Sequence, residues 1–258
     1  MHLDVILLVL ATATAVAAAA RSTWSPCGLS MLSSLTPFGE RSRGHRYGVT
    51  AAWFVLGSTA GGATLGLAAF AVTTGASSAG ARSHPAVVAL VAGGSALLGA
   101  AVDARVFGNV LPVVRRQVDD RWLSRYRGWV YASGFGWQIG TGVATYVMTS
   151  AVFVFLALAV LSTQPWVALS ICAGFGAARG SAILLTTSAQ DPQELRVLHR
   201  KLDRAGEPVR RLAIAVQATT AVIAISYAQP VLGLVCAALI VVSFRILRIP
   251  APAGVAGK

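Results

Sequence analysis

Seven apolar runs, with arginine concentrated in every second loop between them, constrain this chain more than any other feature. The runs cover about Leu3–Ala20, Tyr47–Thr73, Pro85–Val106, Gly128–Leu161, Pro165–Ala189, Leu212–Tyr227 and Pro230–Ile246. Each reaches, or nearly reaches, the ~20 residues a helix needs to cross a bilayer. Backbone groups in hydrocarbon must bond within their own segment, so such spans are helices. The chain has 258 residues, 55% hydrophobic and 12% charged, whereas soluble domains carry about 25% charged residues. The expected fold is therefore all-α: a polytopic integral membrane bundle of about seven transmembrane helices. A soluble single-core domain, a disordered chain, a collagen and a disulfide scaffold are excluded.

The loops set the orientation. Arg41, Arg43 and Arg46 follow the first run; Arg115, Arg116, Arg121, Arg125 and Arg127 follow the third. Arg196, Arg200, Lys201, Arg204, Arg210 and Arg211 follow the fifth, and Arg245, Arg248 and Lys258 close the chain. The intervening loops hold only Arg82 and His84, or no charge, as at Ser162–Gln164 and Ala228–Gln229. Basic loops stay cytoplasmic, so the N-terminus is expected outside and the C-terminus inside the cell membrane. The net charge of +12 then serves orientation and contact with membrane lipid; with no soluble basic domain left over, nucleic acid is not expected as a partner. The first run is read as a span rather than a signal peptide, because its N-terminal end carries Asp4 and no Lys or Arg. Gln229-Pro230 divides the last apolar stretch into two spans, with a re-entrant hairpin as the alternative.

Asp191–Arg211 is expected to be a separate amphipathic helix on the inner surface. Pro192 stands at its first position, and Leu195, Leu198 and Leu202 recur at helical spacing. Two other segments are too broken for plain helices. One runs from Leu3 through Thr23–Leu32 to Phe38, with Pro26 and Gly28 adjoining; the other is Gly128–Leu161, which opens with glycines at 134, 136, 140 and 142. Broken spans at corresponding places in two halves mark transporter-like sites. They suggest a three-plus-three inverted repeat, residues about 3–107 and about 128–228, with an extra C-terminal span at about 230–247, all in one membrane domain. Helix packing through small residues is the alternative account of the glycines.

Ser25-Pro26-Cys27-Gly28-Leu29, with Met31-Leu32, resembles the Ser-Pro-Cys-x-Leu-Pro-Leu motif in the first helix of the CcdA/DsbD thiol–disulfide transporters, of the LysE superfamily. Gly136-Trp137 and Gly142 resemble part of that family's second motif, Gly-Trp-x-Pro-Cys-x-Gly-Pro. The likeness covers roughly residues 3–228. Ile139 stands where the second motif has proline, Gly140 where it has cysteine, and Val143 replaces the last proline; Ser30 replaces the second proline of the first motif. The resemblance implies transfer of reducing equivalents across the membrane, as in cytochrome c biogenesis, with Cys27 as the motif thiol and a thioredoxin-like or other extracytoplasmic protein as partner. A relay needs an attacking and a resolving thiol, and Cys27 alone cannot complete it. Cys172 and Cys236 fall at similar depths of their spans and are a candidate pair; as lone buried cysteines they act as small hydrophobes.

Intramembrane charges are costly and mark functional sites. Asp103, near the end of the third run, and Arg179, inside the fifth, are candidates, and pairing with each other is the simplest way to neutralise both. Gln138, Thr141 and Thr145 follow as cavity-lining candidates. His2, His45, His84 and His199 are expected as solvated residues. No metal set, cofactor motif or soluble-enzyme constellation occurs. Three functions are compatible: a CcdA/DsbD-like redox protein, a small-solute or ion transporter on the same scaffold, and a non-catalytic membrane subunit that docks a partner. A transporter-like activity fits better than a conventional enzyme.

Overall fold

The structure, a computed structural model, describes residues 2–78, 84–108, 110–111, 121–162 and 164–246. Arg82, Arg115, Arg116, Arg248 and Lys258, and the side chain of Arg245, lie outside the described residues. Every element is helical: α1 (His2–Ser22), α2 (Pro26–Ser34), α3 (Pro37–Ser42), α4 (Tyr47–Ser78), α5 (Pro85–Asp103), α6 (Trp122–Arg125), α7 (Gly128–Gly140), α8 (Ala151–Leu161), α9 (Pro165–Gly180), a 3-10 turn (Ser181–Ser188), α10 (Pro192–Ala228) and α11 (Pro230–Ile246). Among the described residues, five helices are long and apolar enough to cross a membrane: those containing Leu3–Ser22, Tyr47–Gly75, Pro85–Asp103, Pro165–Ser188 and Pro192–Ala228. α8 and α11 are apolar but shorter. The chain is a helical membrane bundle.

α4 is the central post, packed along α7 on one side and α9 on the other. Its glycines make this possible. A Cβ on Gly57 or Gly61 would run into the backbone of Ser133 or Trp137 on α7, and one on Gly62 or Gly66 into that of Cys172 or Leu169 on α9. Small residues let membrane helices approach until dispersion and Cα–H contacts hold them. α5 packs on α10, and α1 on α8, α9 and α10. The larger apolar cluster joins these last helices through Leu7, Ala18, Ala92, Phe155, Leu158 and Phe175. A smaller one surrounds Cys27, Met31, Phe54, Tyr131, Phe135 and Ile139.

Both expected breaks are present. α1 stops at Ser22 and α2 restarts at Pro26. Ser25 caps α2, its Oγ accepting from Gly28 N at 3.1 Å. The same device recurs eleven residues on: Thr36 Oγ1 caps α3 by accepting from Gly39 N at 3.2 Å, with Pro37 at the first helical position. Ser/Thr-Pro-x-Gly is thus a helix start, with proline at the one position that needs no donor. The second break separates α7 from α8 over residues 141–150. Gly142 begins it at φ +71°, a left-handed conformation natural to glycine.

One expectation fails. The segment 191–211 is not a separate surface helix but the first half of α10, which runs unbroken for 37 residues. Asp191 does cap it, accepting from Gln193 N and Glu194 N at 2.7 and 2.8 Å. Pro208 inside it removes one N–H, but Pro208 is exposed, and water can satisfy the carbonyl one turn back. α11 follows after the single residue Gln229 and folds back, with Gly233 against Ser226 of α10.

Candidate functional site

The two breaks meet at Arg179. This side chain, 3% exposed, comes from the last turn of α9. Its Nη1 donates to Ile139 O at 2.8 Å, and its Nη2 to Ser25 Oγ at 3.4 Å. Ile139 O, which also accepts from Gly142 N at 3.1 Å, belongs to the last turn of α7. Ser25 starts α2. One guanidinium therefore ties the end of α7 to the start of α2. Its Nε is buried without a hydrogen-bond partner.

Cys27 lies at the second position of α2, 1% exposed, within electrostatic reach of Arg179. A cation and a helix N-terminus are the surroundings in which cysteine sulfur acts as a nucleophile. Gly28 is required beside it, because a Cβ there would stand 2.5 Å from Thr23 O. A cavity of about 20 Å³ lies beside Gly28, lined also by Thr23, Phe54, Ile139, Arg179 and Ile183 but not by Cys27. That is room for about one water. Because Cys27 is buried, its reaction with a partner requires the α2 turn to move.

The second motif's residues serve packing. A Cβ on Gly136 or Gly140 would collide with the backbone of Phe54 or Ser58 on α4. α4 thus occupies the space in which a side chain at position 140 would stand. Trp137 faces outward at 43% exposure. Thr141 turns its hydroxyl back to Gln138 O at 2.8 Å, and Pro26 is exposed. Thr145 Oγ1 is buried without a partner.

Asp103 and Arg179 do not pair. Asp103, at the end of α5, is 8% exposed and accepts from Ser150 N and Gln217 Nε2, each at 2.8 Å, and from the Thr149 hydroxyl. Its main-chain carbonyl accepts from Arg210 Nη1 at 2.9 Å. The neutralising partners are thus the second break and α10. Nor do Cys172 and Cys236 form a disulfide. Cys172 is sunk in the larger cluster beside α4, whereas Cys236 lines a groove between α5, α10 and α11.

Sequence reasoning missed a third network. Glu40, with no exposed surface, accepts from Tyr131 Oη at 2.6 Å and Thr50 Oγ1 at 2.7 Å, and pairs with Arg43 at 2.8 Å. Tyr131 Oη also meets His45 Nδ1 at 3.1 Å. His45 is therefore no plain solvated residue, and His199, inside α10, meets Ser33 Oγ at 3.1 Å. The signal for Glu40 was a lone carboxylate in an arginine-rich loop. Among the described residues, no cluster of His, Cys, Asp and Glu has metal-binding geometry.

No protein-family model matches the chain, and no solved structure does. Two curated proteins are similar. The methylamine utilization protein MauF of Paracoccus versutus is 30% identical over 221 residues, which cover 80% of this chain and 75% of that one. MauF of Methylorubrum extorquens is 29% identical over 164 residues, 61% of this chain and 55% of its own length. Identity at that level across four-fifths of the chain, in a helical membrane bundle, shows that this protein belongs to the MauF family.

Proposed function

We propose that this protein serves methylamine utilization as a membrane-embedded thiol-exchange subunit with Cys27 as the reacting sulfur. The juxtaposition of Cys27 with Arg179 at the start of α2 carries the reading. The resemblance to CcdA/DsbD supports it, and the space taken by α4 at Gly140 accounts for a single thiol. The Cys27 thiolate attacks a disulfide of one partner. A sulfur–sulfur bond to Cys27 forms, the partner's bond breaks, and the released thiolate takes up a proton. A thiolate of a second, thioredoxin-like dithiol protein then attacks the Cys27 sulfur and frees the first partner's second thiol. The dithiol protein's other thiol closes its own disulfide and releases Cys27. The net change is reduction of one partner and two-electron oxidation of the other.

The seven-span topology, with the N-terminus outside and the C-terminus cytoplasmic, belongs to this reading, as do the inverted repeats. The pairwise packing of α4 with α9 and of α5 with α10 supports that division.

The test uses membranes carrying Cys172→Ser and Cys236→Ser. Cys27 should label with a small membrane-permeant thiol reagent, and a fraction should appear as a mixed disulfide released by reduction. Cys27→Ser should abolish growth on methylamine while the protein still accumulates. An inert Cys27, with Cys27→Ser growing as wild type, overturns thiol exchange and leaves a docking role.

A further inference from the structure

At the end of the bundle where α1 and α5 stop, three arginines surround one cavity of about 220 Å³: Arg21 of α1, Arg105 just after α5 and Arg210 of α10. Asp103 and Tyr146 share its wall. Arg105 and Arg210 both lie within electrostatic reach of Arg21 and repel it, while Asp103 and Glu207 attract it. Arg21 is only 9% exposed, yet its guanidinium makes no hydrogen bond among the described residues. Asp103 offers it attraction but no ion pair, because its oxygens are occupied by Thr149, Ser150 and Gln217. Arg210 is held by Glu207, with Nε and Nη2 each donating at 2.8 Å. The cavity thus has surplus positive charge and unused donors.

The backbone adds a second observation. Arg105 has φ 61° and is the one non-glycine residue at positive φ among those described. It occupies the left-handed turn that ends α5, with Val106 N donating to Ala101 O at 3.0 Å, a position where glycine is the usual choice. An arginine held there accepts a conformational cost and adds a third cation to the wall.

We propose that this cavity binds a phosphate-class oxyanion, gripped by Arg21 and Arg105 with Arg210 behind them. Guanidinium forks match phosphate oxygens in pairs, and the volume suits one phosphate with a small substituent. The phosphate belongs either to a free anion or to a lipid headgroup. Arg210 also lines the groove between α5, α10 and α11, whose walls include Leu97, Leu232 and Leu239, so acyl chains have a place beside it.

The experiment measures thermal unfolding of the purified protein in neutral detergent, with added inorganic phosphate, phosphatidylglycerol or phosphatidylcholine. Phosphate or phosphatidylglycerol should raise the midpoint by roughly 3 °C or more at saturation, and phosphatidylcholine should not. A response to inorganic phosphate identifies a free anion; a response to phosphatidylglycerol alone identifies a headgroup. Arg105→Gly relieves the left-handed strain, so it should unfold at or above the wild-type temperature while losing most of the ligand-induced rise. Arg21→Gln should lose that rise too, and Arg204→Gln, an exposed charge elsewhere on α10, should keep it. No rise with either phosphate source overturns the site. So does an undiminished rise in Arg105→Gly, or an equal loss in Arg204→Gln.

Discussion

Arg179 Nη1 donates to the carbonyl of Ile139 at 2.8 Å, which ties the end of α9 to the end of α7 one residue before Gly140. The bond lies in the last turn before the second break, and the same guanidinium reaches Ser25 at the first break. Arg179→Ala removes both donors and leaves their acceptors buried. It should cost about 2–4 kcal/mol in detergent unfolding. It should also slow labelling of Cys27 by a small reagent once unfolding is corrected for, because the cation beside the sulfur is lost. Arg179→Lys should recover part of the stability and of the labelling rate.

Gly140→Ala should destabilise by about 3 kcal/mol or more, since its Cβ meets the backbone of Ser58 rather than a side chain that can turn away. Gly140→Cys should do the same and should not create a working relay. Gly174→Ala on α9 has open space around it and should be neutral, or stabilising by about 0.5–1 kcal/mol. Paired thermal unfolding of these variants separates close packing from a general intolerance of substitution.

Tyr131→Phe removes the hydroxyl that donates to Glu40 at 2.6 Å, with Glu40 sealed from solvent. Stability should fall by about 1.5–3 kcal/mol. Glu40→Gln should cost a similar amount, and the double variant less than the sum, because both changes break one network. A double-mutant cycle in detergent unfolding measures that coupling.

Asp103→Leu should be the most damaging of the charge removals, at about 3–5 kcal/mol. It strands Thr149, the Ser150 amide and Gln217 together. Arg179→Ala and Asp103→Leu should be additive, since their networks share no residue; an ion pair between them would make the double variant milder than the sum.

Treatment of membranes with a thiol oxidant should give no Cys172–Cys236 crosslink, by mass of the intact protein. Cys172 sits against α4 in the interior, and Cys236 lines the α5–α10–α11 groove.

The membrane class, several helix starts and both breaks were legible because hydropathy and proline–glycine placement act over a few neighbouring residues. Pro26 and Gly28 mark the restart after the first break, and Gly142 the onset of the second. The glycines at 136 and 140 were legible as glycines but not as packing sites, because their reason lies on α4, some eighty residues upstream. The partners of Asp103 and Arg179 were unreadable for the same cause. Pairing two intramembrane charges is the simplest assumption, yet a carboxylate can be satisfied by a hydroxyl, an amide and a main-chain N–H from distant segments. Continuity of α10 was hidden by its change from a basic to an apolar half at residue 212, which composition reads as a boundary and the backbone ignores.

That continuity has a mechanical consequence. At 1.5 Å per residue, the 37 residues of α10 make a rod of roughly 55 Å, nearly twice the thickness of the hydrocarbon layer. Trp24 Nε1 pins it to the first break by donating to Leu202 O at 2.9 Å, three residues before Cys27. A protein gripping the basic half of the rod from the aqueous side would hold a lever whose fulcrum lies beside the buried thiol. Any tilt of the rod would be felt at the turn that carries the sulfur.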